Sequence, residues 1–278
     1  MRTFARRHRV LVYVAITFAV SWGAWLSLAA TGHTVGAGFS PLYLLGLLGP
    51  LIGAVITTAI VGRGSGMRAL FARMIRVRAG TRAWGLALLP IALAIVTHLV
   101  LVFYSMFLLA PVHVPTWRTL GQFTGFPMMN AALLALLLIV VNGYGEETGW
   151  RGFLLPTLQR RFSPVVSSVL VAVVWAAWHA PAFLINENYR QMPAGMVPVF
   201  FVGLACGSLL LTYLYNHGRR SIFIVAVWHG LFNLVTGTVA AAGVLAAIET
   251  TAVMVIALAV LVHEARTRHD ATAARSVA

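Results

Sequence analysis

Residues Met128–Gly149 read MMNAALLALLLIVVNGYGEETG, an apolar run of membrane-crossing length that contains two adjacent carboxylates near its end. About 20 helical residues cross the ~30 Å hydrocarbon core of a bilayer, so this run predicts a transmembrane helix. Glu146 and Glu147 lie inside it, and an ionisable side chain within a membrane costs at least ~2.5 kcal/mol on insertion scales. The stretch therefore predicts both a membrane fold and a functional site.

Seven further apolar stretches extend this prediction to the whole chain. They are Val10–Ala30, Pro41–Gly62, Trp84–Ala110, Pro164–Ile185, Met196–Tyr215, Ile222–Ala240 and Gly243–Val262. The 278 residues are 60% hydrophobic and 9% charged, with a mean hydropathy of +0.89. Such a composition excludes an ordinary soluble domain. We predict an all-α, polytopic membrane protein with about eight transmembrane helices.

The charge of the chain is strongly basic, with twenty Lys and Arg residues, all of them arginine, against six acids. The arginines form short clusters between apolar stretches rather than one solvated face, which excludes nucleic-acid binding. With Arg151 set aside, seventeen lie on one side of the predicted membrane and only Arg118 and Arg190 on the other. The positive-inside rule then predicts that both termini are cytoplasmic. Because arginine replaces lysine throughout, we expect a GC-rich bacterium and its plasma membrane.

One basic segment lies between the second and third apolar stretches. In Met67–Arg78, arginines alternate with leucine, phenylalanine, methionine, isoleucine and valine. This pattern suits a short helix on an anionic membrane surface. A solvated basic loop is the alternative.

The carboxylate pair is followed by an arginine at helical spacing. Glu147 and Arg151 are four residues apart, so they share a helix face and can pair. Glu146 projects about 100° away, toward another partner. One carboxylate can then act as a counter-ion while its neighbour is available for chemistry. The alternative is that all three residues flank a helix end at the membrane interface.

Two histidines and an asparagine lie at comparable depths in other predicted helices. Taking the turn at Phe162, Glu146 is sixteen residues before it and His179 seventeen after it, so an antiparallel hairpin places them level. His229 and Asn233 are four residues apart and project from one face. We expect these groups to converge on one site, although each histidine alone is also compatible with an interhelical hydrogen bond.

These residue types favour hydrolysis. A carboxylate beside a histidine can take a proton from water, so Glu146 and His179 are the predicted water-activating pair. A histidine with a carboxamide can donate to a developing oxyanion, which is the predicted role of His229 and Asn233. An HExxH zinc protease and an aspartyl protease are excluded, because the chain has no HExxH motif and its one aspartate, Asp270, lies in the polar tail.

Three motifs together resemble the CPBP intramembrane proteases, also called the CAAX prenyl protease and bacteriocin-processing (Abi-like) family. They are Glu146-Glu147-x-x-x-Arg151, Trp175-x-x-x-His179 and His229-x-x-x-Asn233. Trp175 stands where the family usually has phenylalanine, a change that keeps an aromatic wall. The resemblance covers about Met128–Val235.

The resemblance implies a CAAX-protease-like helix bundle with endopeptidase activity near the cytoplasmic membrane face. It also implies a protein or peptide substrate, which can be C-terminal and membrane-anchored. By this resemblance the catalytic residues are Glu146, His179, His229 and Asn233, with Glu147 and Arg151 in support. We divide the chain into an N-terminal membrane region (1–127), a catalytic core (128–240), and a last span with a polar cytoplasmic tail (241–278).

No cofactor is favoured, and the partners expected besides substrate are membrane lipids. Zinc is an alternative, with Glu146, His179 and His229 as ligands. We favour the metal-free site because Asn233 is a poor zinc ligand but a good oxyanion donor.

Two other functions stay open from the sequence. One is a non-catalytic membrane interaction or immunity protein with the same fold. The other is a proton-coupled transporter, because membrane glutamates and histidines also relay protons. The transporter is less favoured, since no internal repeat is visible.

Overall fold

The computed structural model describes residues 2–107 and 119–276, and within this part of the chain the secondary structure is helical with no β-strand. The predicted outer-loop residue Arg118 lies outside the described residues. The α-helices are α1 (Arg2–Arg7), α2 (Arg9–Ala30), α3 (Pro41–Leu47), α4 (Gly49–Met74), α5 (Thr81–Phe107), α6 (Ala131–Leu138), α7 (Gly145–Gly149), α8 (Leu155–Leu158), α9 (Pro164–Trp178), α10 (Ala182–Ile185), α11 (Glu187–Arg190), α12 (Met196–His217), α13 (Ile222–Gly237) and α14 (Val244–Ser276).

The predicted membrane fold is confirmed. Six helical segments of the described chain are long and apolar enough to cross a bilayer: Arg9–Ala30, Thr81–Phe107, Ala131–Leu158, Pro164–Ile185, Met196–His217 and Val244–Arg266. A bent pair, α3 with Gly49–Gly62 of α4, makes a seventh candidate. Helix α13 is a shorter apolar helix of 16 residues. The chain is therefore a polytopic, multi-pass membrane protein.

The second predicted span is a bent pair rather than one straight helix. Helices α3 and α4 meet at Leu48 with a bend of 51°, and Pro50 begins the new helix at a position where its missing N–H is tolerated. The carbonyls near the bend receive hydrogen bonds from α2. Ser21 Oγ donates to Gly46 O at 2.7 Å, and Trp25 Nε1 donates to Tyr43 O at 3.0 Å. A break within a bilayer requires such partners, because lipid supplies none.

The basic segment Met67–Arg78 forms neither a separate interfacial helix nor a simple loop. Helix α4 continues without interruption through Met74, and only the residues after it leave the helix. Ser221, at the turn between α12 and α13, donates a hydrogen bond to the carbonyl of Arg76. The end of α4 is thereby held against that turn.

The fourth predicted span contains two π-helical segments. Residues Ile139–Tyr144 form the first and Trp150–Leu154 the second, and together they flank α7. A π segment holds one extra residue in a turn and is frequently found at functional sites. Both carboxylates of the Glu146-Glu147 pair lie between these two segments.

The best-buried part of the molecule surrounds these segments. Helix α13 packs against the first π segment, α5, α6 and α14, and most of its side chains are buried. A helix enclosed by neighbours on all sides is expected to be apolar all round. The polar residues of α13 are therefore exceptions to this pattern, and they indicate where a functional site lies.

Candidate active site

Glu147 is the centre of a buried cluster of charged and polar side chains. Its carboxylate is fully buried and accepts two hydrogen bonds from Arg151 Nη1, at 3.0 and 3.1 Å. These bonds form the ion pair predicted from the i,i+4 spacing. His229 Nδ1 donates to Glu147 Oε1 at 2.7 Å from another helix. A buried carboxylate with an arginine and a histidine as donors has its charge compensated inside the apolar core.

Glu146 is also buried but has a different partner. The indole Nε1 of Trp175, on α9, donates to Glu146 Oε2 at 2.8 Å. The other carboxylate oxygen, Oε1, lies 3.8 Å from His229 Nε2. That distance is longer than a direct hydrogen bond. One oxygen of Glu146 is therefore held, and the other faces an imidazole across a short gap.

His229 connects the two carboxylates. Its Nδ1 faces Glu147 and its Nε2 faces Glu146, and the side chain is 5% exposed. Because a carboxylate only accepts, the hydrogen bond at 2.7 Å requires a proton on Nδ1. Glu147 therefore fixes both the orientation and the proton position of this imidazole.

His179 is joined to this cluster through Trp175. Its Nδ1 donates to the backbone carbonyl of Trp175 at 2.8 Å. The centroid of the Trp175 ring is 5.8 Å from that of His179 and 5.7 Å from that of His229. Tyr189 and Phe200 pack edge-on against the His179 ring. His179 and His229 thus both contact the ring of Trp175.

Asn233 lies one helical turn beyond His229 on α13 and is half-buried. Its carboxamide makes no hydrogen bond to any residue in the described part of the chain. The structure thus brings Glu146, Glu147, Arg151 and His229 into direct contact or near-contact and leaves Asn233 at the edge of that group.

Close packing of glycines lets the site helix approach its neighbours. A Cβ atom at Gly143 would collide with the carbonyl of Ala226 on α13, and one at Gly149 would collide with Tyr13 and Pro50. Small residues of this kind permit close helix contacts in membranes. The sequence GYGEETG therefore serves two purposes, since it supplies the carboxylates and lets α13 bring His229 up to them.

The zinc alternative requires Glu146, His179 and His229 to converge as ligands. Among residues 2–107 and 119–276, no group of three or more His, Cys, Asp and Glu side chains is arranged to hold a metal ion. His179 Nδ1 and His229 Nδ1 are both engaged in other hydrogen bonds. In this conformation Glu146, His179 and His229 do not form a zinc-binding group.

Sequence reasoning missed one member of the site. Trp175 was predicted only as an aromatic wall, but its N–H binds Glu146 and its ring lies under Arg151, with the guanidinium carbon 5.0 Å from the ring centroid. The available signal was its spacing, four residues before His179, which places both side chains on one face of α9.

Comparison with known proteins agrees with this geometry. Residues 128–235 match the sequence model described as type II CAAX prenyl endopeptidase Rce1-like. The chain is therefore similar to the Rce1-like CAAX prenyl endopeptidases over this segment. Its similarity extends beyond the matched segment, since CAAX prenyl protease 2 of Methanococcus maripaludis is 24% identical over 265 residues, covering 91% of this chain and 93% of that protein. The buried Glu146–Glu147–His229 cluster is consistent with a catalytic site.

Proposed function

We propose that this protein is a membrane protease that hydrolyses a peptide bond by a metal-free mechanism. Glu146 takes a proton from the attacking water and returns it to the amine nitrogen as the C–N bond of the tetrahedral intermediate breaks. The observation that carries the proposal is the unequal use of the two adjacent carboxylates. Glu147 accepts hydrogen bonds from Arg151 and His229. Among the described residues, Glu146 accepts a hydrogen bond through one oxygen, from Trp175, and its other oxygen lies 3.8 Å from His229 Nε2. The second oxygen of Glu146 is free to act as a general base.

His229 is suited to stabilise the tetrahedral intermediate. Glu147 accepts a hydrogen bond from the Nδ1–H of His229, as carboxylates do for histidines that must be held in one orientation. When Nε2 also carries a proton, it can donate to the oxyanion that forms as water attacks the carbonyl. Asn233 lies on the same helix face one turn away and is the proposed second donor.

His179 is suited to hold the attacking water. Because Nδ1 donates to the Trp175 carbonyl, the neutral ring keeps its proton there and leaves Nε2 as an acceptor. Trp175 contacts both His179 and Glu146, so this acceptor is proposed to orient the water molecule whose proton Glu146 takes. This supports a joint role of His179 and Glu146 in water activation.

We further propose that the substrate is a membrane-anchored protein or peptide cut near its C terminus, at the cytoplasmic face of a bacterial plasma membrane with both termini cytoplasmic. The name of the archaeal relative, a prenyl protease, supports a lipid-linked substrate. The depth of the site supports the cytoplasmic side. His229 is seven residues from the start of α13, ~10 Å along the helix, and that start follows Arg219 and Arg220.

The decisive experiment compares Glu146→Gln with a matched buried glutamate outside the site, Glu249→Gln. The full chain is purified in detergent and assayed with a fluorogenic, lipid-anchored C-terminal peptide. We expect Glu146→Gln to lower kcat by about 10²- to 10⁴-fold, the range that general bases contribute, and Glu249→Gln to change it less than twofold.

Two results would contradict the proposal. Equal turnover by wild type and Glu146→Gln would remove Glu146 from the mechanism. Stoichiometric zinc in the purified protein, with activity lost on chelation and restored by zinc, would replace the metal-free mechanism with a metal-dependent one.

A further inference from the structure

An open groove lies where the end of α4 meets the turn between α12 and α13. Its volume is about 610 Å³ and its walls are Ala72, Ile75, Arg76, Val77, Arg78 and Arg219. The walls therefore carry three guanidinium groups and no carboxylate. The groove is separate from the protease site and takes no part in the proposed hydrolysis.

The two sides of the groove are fastened together. Arg76 Nη1 donates to the backbone carbonyl of Arg219 at 2.6 Å, and Ser221 Oγ donates back to the carbonyl of Arg76. Arg219 and Arg220 have φ of +55° and +57°, the left-handed region that residues with a side chain rarely adopt. The arginines thus sit on a defined turn rather than on a free loop.

The position of this turn places the groove at the edge of the membrane. Helix α12 is a candidate span that ends at His217, and the apolar helix α13 starts at Ile222. Beside the groove, Ile75 is 76% exposed and Val77 is 51% exposed. The surface therefore combines cationic groups with apolar side chains that suit contact with lipid.

We propose that this groove binds the phosphate of an anionic phospholipid headgroup, with Ile75 and Val77 against the upper acyl chain. Guanidinium groups bind phosphate oxygens through paired hydrogen bonds. The groove walls carry three guanidinium groups and no carboxylate, so a bound anion would compensate their positive charge. At the membrane edge, the anions present at high local concentration are lipid headgroups.

The test uses two double variants of the full chain. Arg78→Gln with Arg219→Gln removes two groove cations whose side chains make no hydrogen bond in the described part of the chain, so the Arg76–Arg219 and Ser221–Arg76 contacts stay intact. Arg6→Gln with Arg7→Gln removes the same charge from the exposed end of α1. Each protein, in a non-ionic detergent, is titrated with phosphatidylglycerol or phosphatidylcholine of the same acyl chains, and bound lipid is counted by native mass spectrometry.

Wild type and the α1 variant are expected to retain phosphatidylglycerol several-fold more strongly than phosphatidylcholine. The groove variant is expected to lose this preference, because each arginine near a membrane surface contributes about fivefold to anionic-lipid binding. An unchanged preference in the groove variant, or an equal loss in both variants, overturns the proposal. Complete displacement of the lipid by millimolar inorganic phosphate also overturns it, since the groove would then recognise free phosphate.

Discussion

Glu147 and Glu249 are both glutamates buried within apolar helices, at 0% and 2% exposure, but their surroundings differ. Glu147 accepts hydrogen bonds from Arg151 and His229, whereas Glu249 Oε1, on α14, has no hydrogen-bond partner among the described residues. The contrast shows that burial of a glutamate does not by itself identify a functional site in a membrane protein. The distinguishing feature is a set of charged partners brought in from several helices.

Among the substitutions that test this contrast, Arg151→Met is expected to have the largest effect on the free energy of unfolding. Arg151→Met leaves Glu147 buried without its cation, and removing one partner of a buried ion pair typically costs 3–5 kcal/mol. We expect a loss of that size in the free energy of unfolding, measured by thermal and chemical denaturation in detergent.

A double variant sharpens this test. Adding Glu147→Gln to Arg151→Met removes the uncompensated charge, so we expect much of the lost stability to return. If the double variant is as unstable as the sum of the two single variants, the pair is not coupled and Glu147 does not depend on Arg151.

A smaller effect is predicted for the hydrogen bond that holds Glu146. Trp175→Phe keeps an aromatic ring beneath Arg151 but removes the N–H that donates to Glu146. Hydrogen bonds to charged groups contribute ~1.5–3 kcal/mol. We expect kcat to fall at least about tenfold with KM changed less than twofold, because Trp175 positions the base without binding substrate.

Trp178→Phe is the matched control, since it also removes a buried indole hydrogen bond, to Ser21 Oγ. The Trp178 variant is expected to keep its kcat within about twofold and to lose stability instead. Equal kcat in the two variants would mean that Trp175 is a packing residue like Trp178.

The smallest effect is predicted at Glu249 itself. Glu249→Gln removes a buried carboxylate that lacks a partner for one oxygen, so the free energy of unfolding is expected to stay level or rise by up to ~1 kcal/mol. The same substitution at Glu147 is expected to lower stability, because it leaves Arg151 buried and unpaired. Loss of activity in Glu249→Gln would give this residue a role that its surroundings do not indicate.

Much of the fold could be predicted from the sequence because the bilayer fixes how long an apolar run must be. The candidate spans and α13 coincide with the predicted stretches. The 51° bend at Leu48 could not be predicted in this way. It depends on donors from Ser21 and Trp25, which lie more than fifteen residues earlier in the chain and carry no local signal.

Part of the candidate site could also be predicted from the sequence. The Glu147–Arg151 pair follows from helical spacing alone. The contacts of His229 with Glu147 and of Trp175 with Glu146 join different helices, across 82 and 29 residues of sequence. A pattern with 3.6 residues per turn predicts which residues share a face of one helix, but not which residues of another helix they contact.

The hydrogen bonds from α2 to the broken span also bear on how the protein is made. A chain inserted from its N terminus has α2 in the membrane before Leu48 arrives, so Ser21 and Trp25 are in place when the carbonyls of Tyr43 and Gly46 enter lipid. In a circular permutant that synthesises α2 last, those carbonyls would enter the membrane without hydrogen-bond donors. Chain order is therefore part of what makes the bend tolerable.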